Sequence, residues 1–192
     1  MWGGTRGYYT MAMNLVLDME TNGIGSMRPP QQTITQIGWI LFDDQGNTKG
    51  SGNDIVMGAT EVNRIYDNSL TLDEIIEFGI PLGEAFEKMS KVIDSDTTIY
   101  AHNADFDLGL LKYAKLSLPT SKIICTMKNG VDFCKLPKTG FASRHKGYKW
   151  PKLSELANKL NIILENGKLH DALYDCEITK ECVLKGKEIG IF

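Results

Sequence analysis

Five side chains offer chemistry in this sequence: Asp18, Glu20, Asp107, His170 and Asp175. The first two end the run Asn14–Thr21, which reads Asn-Leu-Val-Leu-Asp-Met-Glu-Thr. A short apolar run followed by a glycine-bearing stretch reads as a buried strand. Side chains alternate along a strand, so Asp18 and Glu20 share one face and Met19 takes the other. Two like charges about 4–7 Å apart in a partly dry site repel by about 2–4 kcal/mol at an effective dielectric of about 20. Protonation or a bound cation offsets that cost, and all-oxygen donors favour Mg²⁺ or Mn²⁺ over zinc. Taken alone, an Asp-x-Glu is equally a strand that runs out into solvent with two surface charges. What gives it weight is that Asp107 follows another strand closely, while Asp175 sits in the final helix five residues after His170.

The composition sets a frame for these groups. A chain of 192 residues suits one domain, able to bury roughly 70% of the surface its unfolded form exposes. With 42% hydrophobic and 23% charged residues it can hold a sizeable core. A formal charge of −3 gives no whole-molecule attraction to nucleic acid, so phosphate binding has to be local or carried by a cation. Cys125, Cys134, Cys176 and Cys182 match no zinc spacing, and nothing resembling a signal peptide precedes them. They read as reduced thiols in an intracellular, cytoplasmic protein, in the host cytoplasm if the source is phage or viral. No apolar run approaches the roughly 18 residues of a membrane span, so no membrane partner is expected. Residues 1–13 lack periodicity and are set apart as an N-terminal extension or expression remnant, leaving 14–192 as a single domain.

The elements that must position the five groups follow in order. Thr33–Phe42 reads as a second strand and Gly52–Met57 as a third, together an antiparallel meander beside the first. Thr71-Leu-Asp-Glu74 fits a capping box that starts a helix running to about Phe78. Pro81 opens another helix, with Leu82, Ala85, Phe86, Met89, Val92 and Ile93 at the helical period. The strand Thr97–Ala101 leads into His102-Asn-Ala-Asp-Phe-Asp107 and a helix marked by Leu108, Leu110, Leu111, Ala114 and Leu116; Ile123–Thr126 is a further strand. Strand, helix and strand with short joints imply a parallel pair with a right-handed crossover. From Lys135 to Lys152 there are six lysines and arginines and no acid, amid Phe141, Tyr148 and Trp150. That stretch suits a phosphate-tracking surface, and equally a solvated loop balancing the acidic remainder. Pro151 opens a helix with Leu153, Leu156 and Leu160 on one face, and the last helix runs from about Asp171 to Gly186.

As an ordered set, Asp18-Met-Glu20-Thr-Asn-Gly, His102-Asn-Ala-Asp-Phe-Asp107 and His170-Asp-Ala-Leu-Tyr-Asp175 resemble the three motifs of the DEDDh (DnaQ-like) 3′–5′ exonucleases. That family includes the proofreading subunit of the bacterial replicative DNA polymerase and related phage and viral exonucleases. The resemblance spans roughly residues 15–183, and Trp150-Pro-Lys-Leu is similar to a stretch found in phage, viral and bacterial members. Asp107 is the matching acid of the second motif because the family's ligand follows an aromatic or apolar residue, which leaves Asp105 a bystander. His170 marks the histidine subclass, since the tyrosine subclass would need a tyrosine where Asp171 stands. Asn22, where a second threonine is common, and Asp171, where a small or polar residue often sits, depart from the pattern without touching a ligand. Asp171 reads instead as a cap or first residue of the last helix.

The resemblance implies an RNase H-like mixed β-sheet of about five strands, one antiparallel, flanked by α-helices. It implies two divalent ions, Mg²⁺ or Mn²⁺, held by Asp18, Glu20, Asp107 and Asp175, with Asp18 shared by both and His170 taking the proton of the attacking water. Substrate contacts would fall to Thr21, Ile24, His102, Asn103 and Phe106, although Ile24 and Phe106 read equally as core. The expected reaction is removal of 5′-mononucleotides from a DNA 3′ end, with a DNA polymerase as a partner. An RNA exonuclease of the same chemistry uses the same ligands. A non-catalytic nucleic-acid-binding module is the rival from another class; a degenerate site would lack an acid, and all four stand here.

Overall fold

A computed structural model describes residues 12–23, 32–62, 69–140 and 144–192. Ile24 and Phe141 lie outside the described residues. The chain lays down β1 (Met13–Thr21), β2 (Ile34–Asp43) and β3 (Thr48–Ile55), then α1 (Leu72–Phe78) and α2 (Leu82–Ser90). β4 (Thr98–Ala101), α3 (Ala104–Tyr113) and β5 (Ile123–Cys125) follow. α4 (Thr126–Asn129), α5 (Val131–Cys134), α6 (Leu153–Lys159) and α7 (Ala172–Glu188) complete it. β1 starts one residue before its expected boundary, and α4 and α5 are additions to the expected elements.

The five strands form one sheet in the order β3-β2-β1-β4-β5. β1 is central, antiparallel to β2 and parallel to β4, which in turn is parallel to β5; β2 alone runs against the others. This is the mixed sheet expected of an RNase H-like fold. Its two faces are sorted by the alternation of β1. Leu15, Leu17 and Met19 pack with Ile37, Trp39 and Leu41 of β2 against Phe86 and Met89 of α2 and Leu110 and Leu111 of α3. Val16 takes the opposite face, with Ile40, Phe42 and Tyr100 against Cys176 and Val183 of α7. Each such fully buried aliphatic side chain contributes about 1.5–3 kcal/mol, so the sheet and its helices hold β1 firmly on both sides. Asp18 and Glu20 continue the α7 face past the point where its apolar packing ends.

Two local features place the ends of this scaffold. The β1–β4 pairing stops at Val16 opposite Tyr100, so among the described residues the last part of β1 has a backbone edge with no strand beside it. On the other edge the register with β2 shifts between Glu20 and Thr21, which pair with Gln36 and Ile34, so Thr35 is an extra residue. Such bulges re-aim side chains at strand ends. The first turn of α7 crosses β2 at Gly38, which pairs with Asp18. A Cβ at Gly38 would lie 2.4 Å from the Ala172 carbonyl carbon and 2.7 Å from the Leu173 nitrogen, so only glycine admits the helix this close. Gly38→Ala is therefore expected to cost about 1–3 kcal/mol through overpacking of backbone on backbone. Urea denaturation of the two proteins checks this; an unchanged midpoint would mean that α7 does not need the close approach.

Candidate active site

The four acids come from three elements and meet at the C-terminal end of β1. Asp18 and Glu20 stand on the strand itself. Asp107 lies in the first turn of α3, whose N-cap residue Asn103 has a left-handed backbone with φ of 72°. Its Oδ1 accepts the Met19 N–H at 3.0 Å, satisfying the edge that β4 leaves open. Asp175 lies in the first turn of α7, where Oδ2 accepts the His170 N–H at 3.2 Å. His170 has φ of 73°, a conformation rare for a residue with a side chain. It turns the chain so that Asp171 caps α7, accepting the Tyr174 N–H at 3.0 Å. Tyr174, expected to pack beside the ligand, is buried, and its hydroxyl accepts the Glu165 N–H at 2.7 Å.

Burial and proximity hold these carboxyls well above their ordinary pKa. Burial raises Asp18 most, followed by the charges of Asp107, Asp175 and Glu20. Asp107 is also raised chiefly by burial, against its backbone hydrogen bonds and with a contribution from Glu20. Glu20 is pushed from 4.5 to about 7 by burial and by Asp175 and Asp171. Asp175 is pushed from 3.8 to about 7 by burial, with its bond from the His170 N–H opposing. His170 Nδ1 lies 4.0 Å from Glu20 Oε1. Burial and then the nearby Lys152 ammonium lower the pKa of His170, which favours a neutral ring able to accept a proton.

The donor set fits a hard divalent cation. One ligand atom each from Glu20, His170 and Asp175 lie within 4.8 Å of one another. Asp175 Oδ1 is buried and, among the described residues, without a hydrogen-bond partner. A buried carboxylate oxygen left unpaired among other carboxyls is costly unless a cation satisfies it.

The remaining expected contacts are placed as follows. Thr21 and Asn22 line a small polar recess of about 20 Å³ with Glu20, Thr35, Gln36 and His170. Phe106 is 36% exposed at the start of α3, beside Asp107. His102 is engaged at both ring nitrogens, by the Thr126 hydroxyl and by the Pro151 carbonyl, each at 3.0 Å. Burial lowers its pKa to about 4, so it is neutral and ties the Pro151–Lys152 turn to the end of β4. Asn103 serves its turn through the backbone, its carbonyl accepting the Phe106 N–H at 2.8 Å. In the basic stretch, Lys149 is committed to Glu155 and Lys138 donates to the Lys146 carbonyl, while Tyr148 and Trp150 are exposed. Sequence reasoning missed Lys152 beside His170, and also Gln36 and Gly38. The signal for the last two was there: a glutamine and a glycine inside the otherwise apolar run of β2.

Four acids from three elements around a strand end, with a histidine beside them, on this mixed sheet, form the kind of arrangement that metal-assisted phosphodiester hydrolysis uses. The RNase T family of exonucleases matches residues 15–183, and the chain belongs to that family. No curated protein matches it by sequence. Among solved structures, a full-length 3′-exonuclease aligns at a TM-score of 0.70 and 14% identity, over 94% of this chain and 84% of that one. The nuclease domain of 3′hExo, a DEDDh family member bound to rAMP, aligns at 0.65 and 12% identity over 95% of each chain. E. coli exonuclease I in complex with a 5cy-dT13 oligonucleotide aligns at 0.61 and 15% identity, over 93% of this chain and 41% of that one. At these identities the likeness is one of fold.

The raised carboxyls make a stability prediction. Glu20 and Asp175 hold their protons to about pH 7 in the fold, whereas the unfolded chain releases them near 4.5 and 3.8. Between those limits the folded state binds more protons, so stability falls as pH rises. Metal-free protein should therefore melt lower at pH 8 than at pH 5.5, and Glu20→Gln should shrink the difference. A melting temperature that rises over this interval in metal-free buffer would contradict the burial and crowding that raise these groups.

Proposed function

We propose that the chain is a 3′–5′ exonuclease that removes 5′-mononucleotides from DNA 3′ ends with Mg²⁺ or Mn²⁺. The observation that carries this reading is the convergence of Asp18, Glu20, Asp107 and Asp175 at one strand end, with His170 Nδ1 4.0 Å from Glu20. Asp18, Glu20, Asp107 and Asp175 would hold the ions. Bound there, two divalent cations supply charge stabilisation at the phosphate and leaving oxygens and make water acidic enough to attack near neutral pH. His170, its pKa lowered so that the neutral ring is favoured, takes the proton of the attacking water at a ring nitrogen. Thr21, next to Glu20 at the end of β1, would meet the terminal sugar, and Phe106 offers an exposed ring to the terminal base. Cations and exposed aromatics between Lys135 and Lys152 suit the backbone and bases of a single strand.

A second reading, RNA 3′ ends, draws on the rAMP bound to one structural neighbour, as the DNA reading draws on the oligonucleotide bound to another. A proofreading partnership with a DNA polymerase goes with the DNA reading. Digestion of 3′- and 5′-labelled DNA and RNA oligomers with Mg²⁺, Mn²⁺ or EDTA distinguishes them. Loss of one nucleotide at a time from the 3′ end, dependent on metal, is expected; full activity in EDTA after metal stripping would sink the reading. Asp18→Ala should lower turnover by about 10²–10⁴, equivalent to several kcal/mol of lost charge stabilisation.

His170→Ala should lower turnover by about 10²–10⁴ while Mn²⁺ still raises the melting temperature. At saturating Mn²⁺ the acid limb of the wild-type rate should fall below the ordinary 6.5 of histidine, in the direction that burial and Lys152 drive it. Wild-type turnover in His170→Ala would remove its assigned role.

A further inference from the structure

Gln36 is a buried polar residue for which the reaction described so far has no use. It sits on β2, directly opposite Glu20, and is 4% exposed. Its Oε1 accepts the Ala172 N–H at 3.2 Å. Its Nε2 donates to Asp171 Oδ2 at 3.0 Å and to Asn53 Oδ1 at 2.9 Å. Both N–H donors and the carbonyl are thus used, and two of the three bonds go to the first residues of α7.

We infer that Gln36 is a positioning residue that sets the third motif against β1, holding His170 and Asp175 where the reaction needs them. This rests on the exonuclease reading above. Gln36 faces Glu20 as the last pair of the unbroken β1–β2 ladder, and the bulge at Thr35 follows it. The residues it grips, Asp171 and Ala172, directly follow His170, whose left-handed backbone is unfavourable for a side-chain-bearing residue and must be held by its surroundings. The His170 N–H bond to Asp175 Oδ2 lies within the motif, so it cannot fix the motif relative to β1. The body of α7 is anchored independently, by buried Cys176, Ile178, Cys182 and Val183. Loss of the Gln36 bonds therefore loosens the first turn while the helix stays docked. Displacements of about 1 Å at a reacting group are enough to lower a rate about 10²-fold.

The pattern of donors and acceptors gives the test. Gln36→Leu removes all three bonds. Gln36→Glu faces one carboxylate with another at Asp171, and Asp171→Asn faces one amide with another. The pair Gln36→Glu with Asp171→Asn reverses the bond: the new amide at 171 donates to the new carboxylate at 36. Ala172 N–H keeps its acceptor, and Asn53 rotates its amide to donate. Turnover on a labelled oligonucleotide with Mn²⁺, corrected for folded fraction, should fall about 10²-fold in Gln36→Leu and at least about tenfold in each polar single variant. The Michaelis constant should move less than about threefold, and the double variant should return to within about threefold of wild type. The Mn²⁺-induced rise in melting temperature should follow the same order. Turnover of Gln36→Leu within twofold of wild type, or a double variant no better than its worse parent, overturns the proposal. If the wild type cuts no oligonucleotide at all, the exonuclease reading is what fails. The Mn²⁺ melting shift then decides the positioning role of Gln36 alone, and an equal shift in wild type and all variants overturns it.

Discussion

Four carboxyl groups have to be kept together, largely buried and without a fixed counter-charge of their own, and the rest of the structure answers to that constraint. The groups that touch them are backbone amides, Met19 N–H for Asp107 and His170 N–H for Asp175. Several lysines are engaged elsewhere, Lys49 with Asp43, Lys88 with Asp54, Lys128 with Asp105 and Lys149 with Glu155, while Lys152 acts on His170 and not on these acids. A lysine among the four acids would lower their pKa and remove the repulsion, and with it the affinity for a cation. Amides hold a carboxylate in place while leaving its charge available. The burial and crowding that make ionisation costly in the metal-free protein are then what a bound divalent ion would relieve.

The second and third motifs solve the placement problem alike. Each has a residue with a left-handed backbone, Asn103 or His170, then a helix carrying its acid in the first turn. The sharp turn brings the helix N-terminus to the end of β1, and the partial positive charge of that terminus favours a carboxylate there. Asparagine takes this conformation readily; histidine does so at a cost, met by bonds on either side of it. The price in local strain is small beside the apolar burial that anchors both helices.

The acids and His170 were legible because the chemistry demands their types, and the strand and helix starts around them carry strong local signals such as the capping box at Thr71. β3 was displaced in the reading, expected at Gly52–Met57 and found at Thr48–Ile55. Its sequence, Thr-Lys-Gly-Ser-Gly-Asn-Asp-Ile, has no apolar alternation, because it is an edge strand whose register is set by pairing with β2. α4 and α5 span four residues each, too few to show a helical period. Gln36 reads as an interruption of an apolar strand, and its bonds reach Asp171 and Ala172, partners that no local pattern could supply.

That three elements so distant in the chain share one site also bears on how the protein comes into being. β1 is near the start of the sequence and α7 near its end, and neither half holds the full set of acids. Contacts between such distant segments carry a large loop-closure cost. A chain with α7 undocked therefore lacks His170 and Asp175 at the centre, whatever else of the sheet is formed. An enzyme whose unchecked action would erode nucleic acid is in this way silent until its last helix docks.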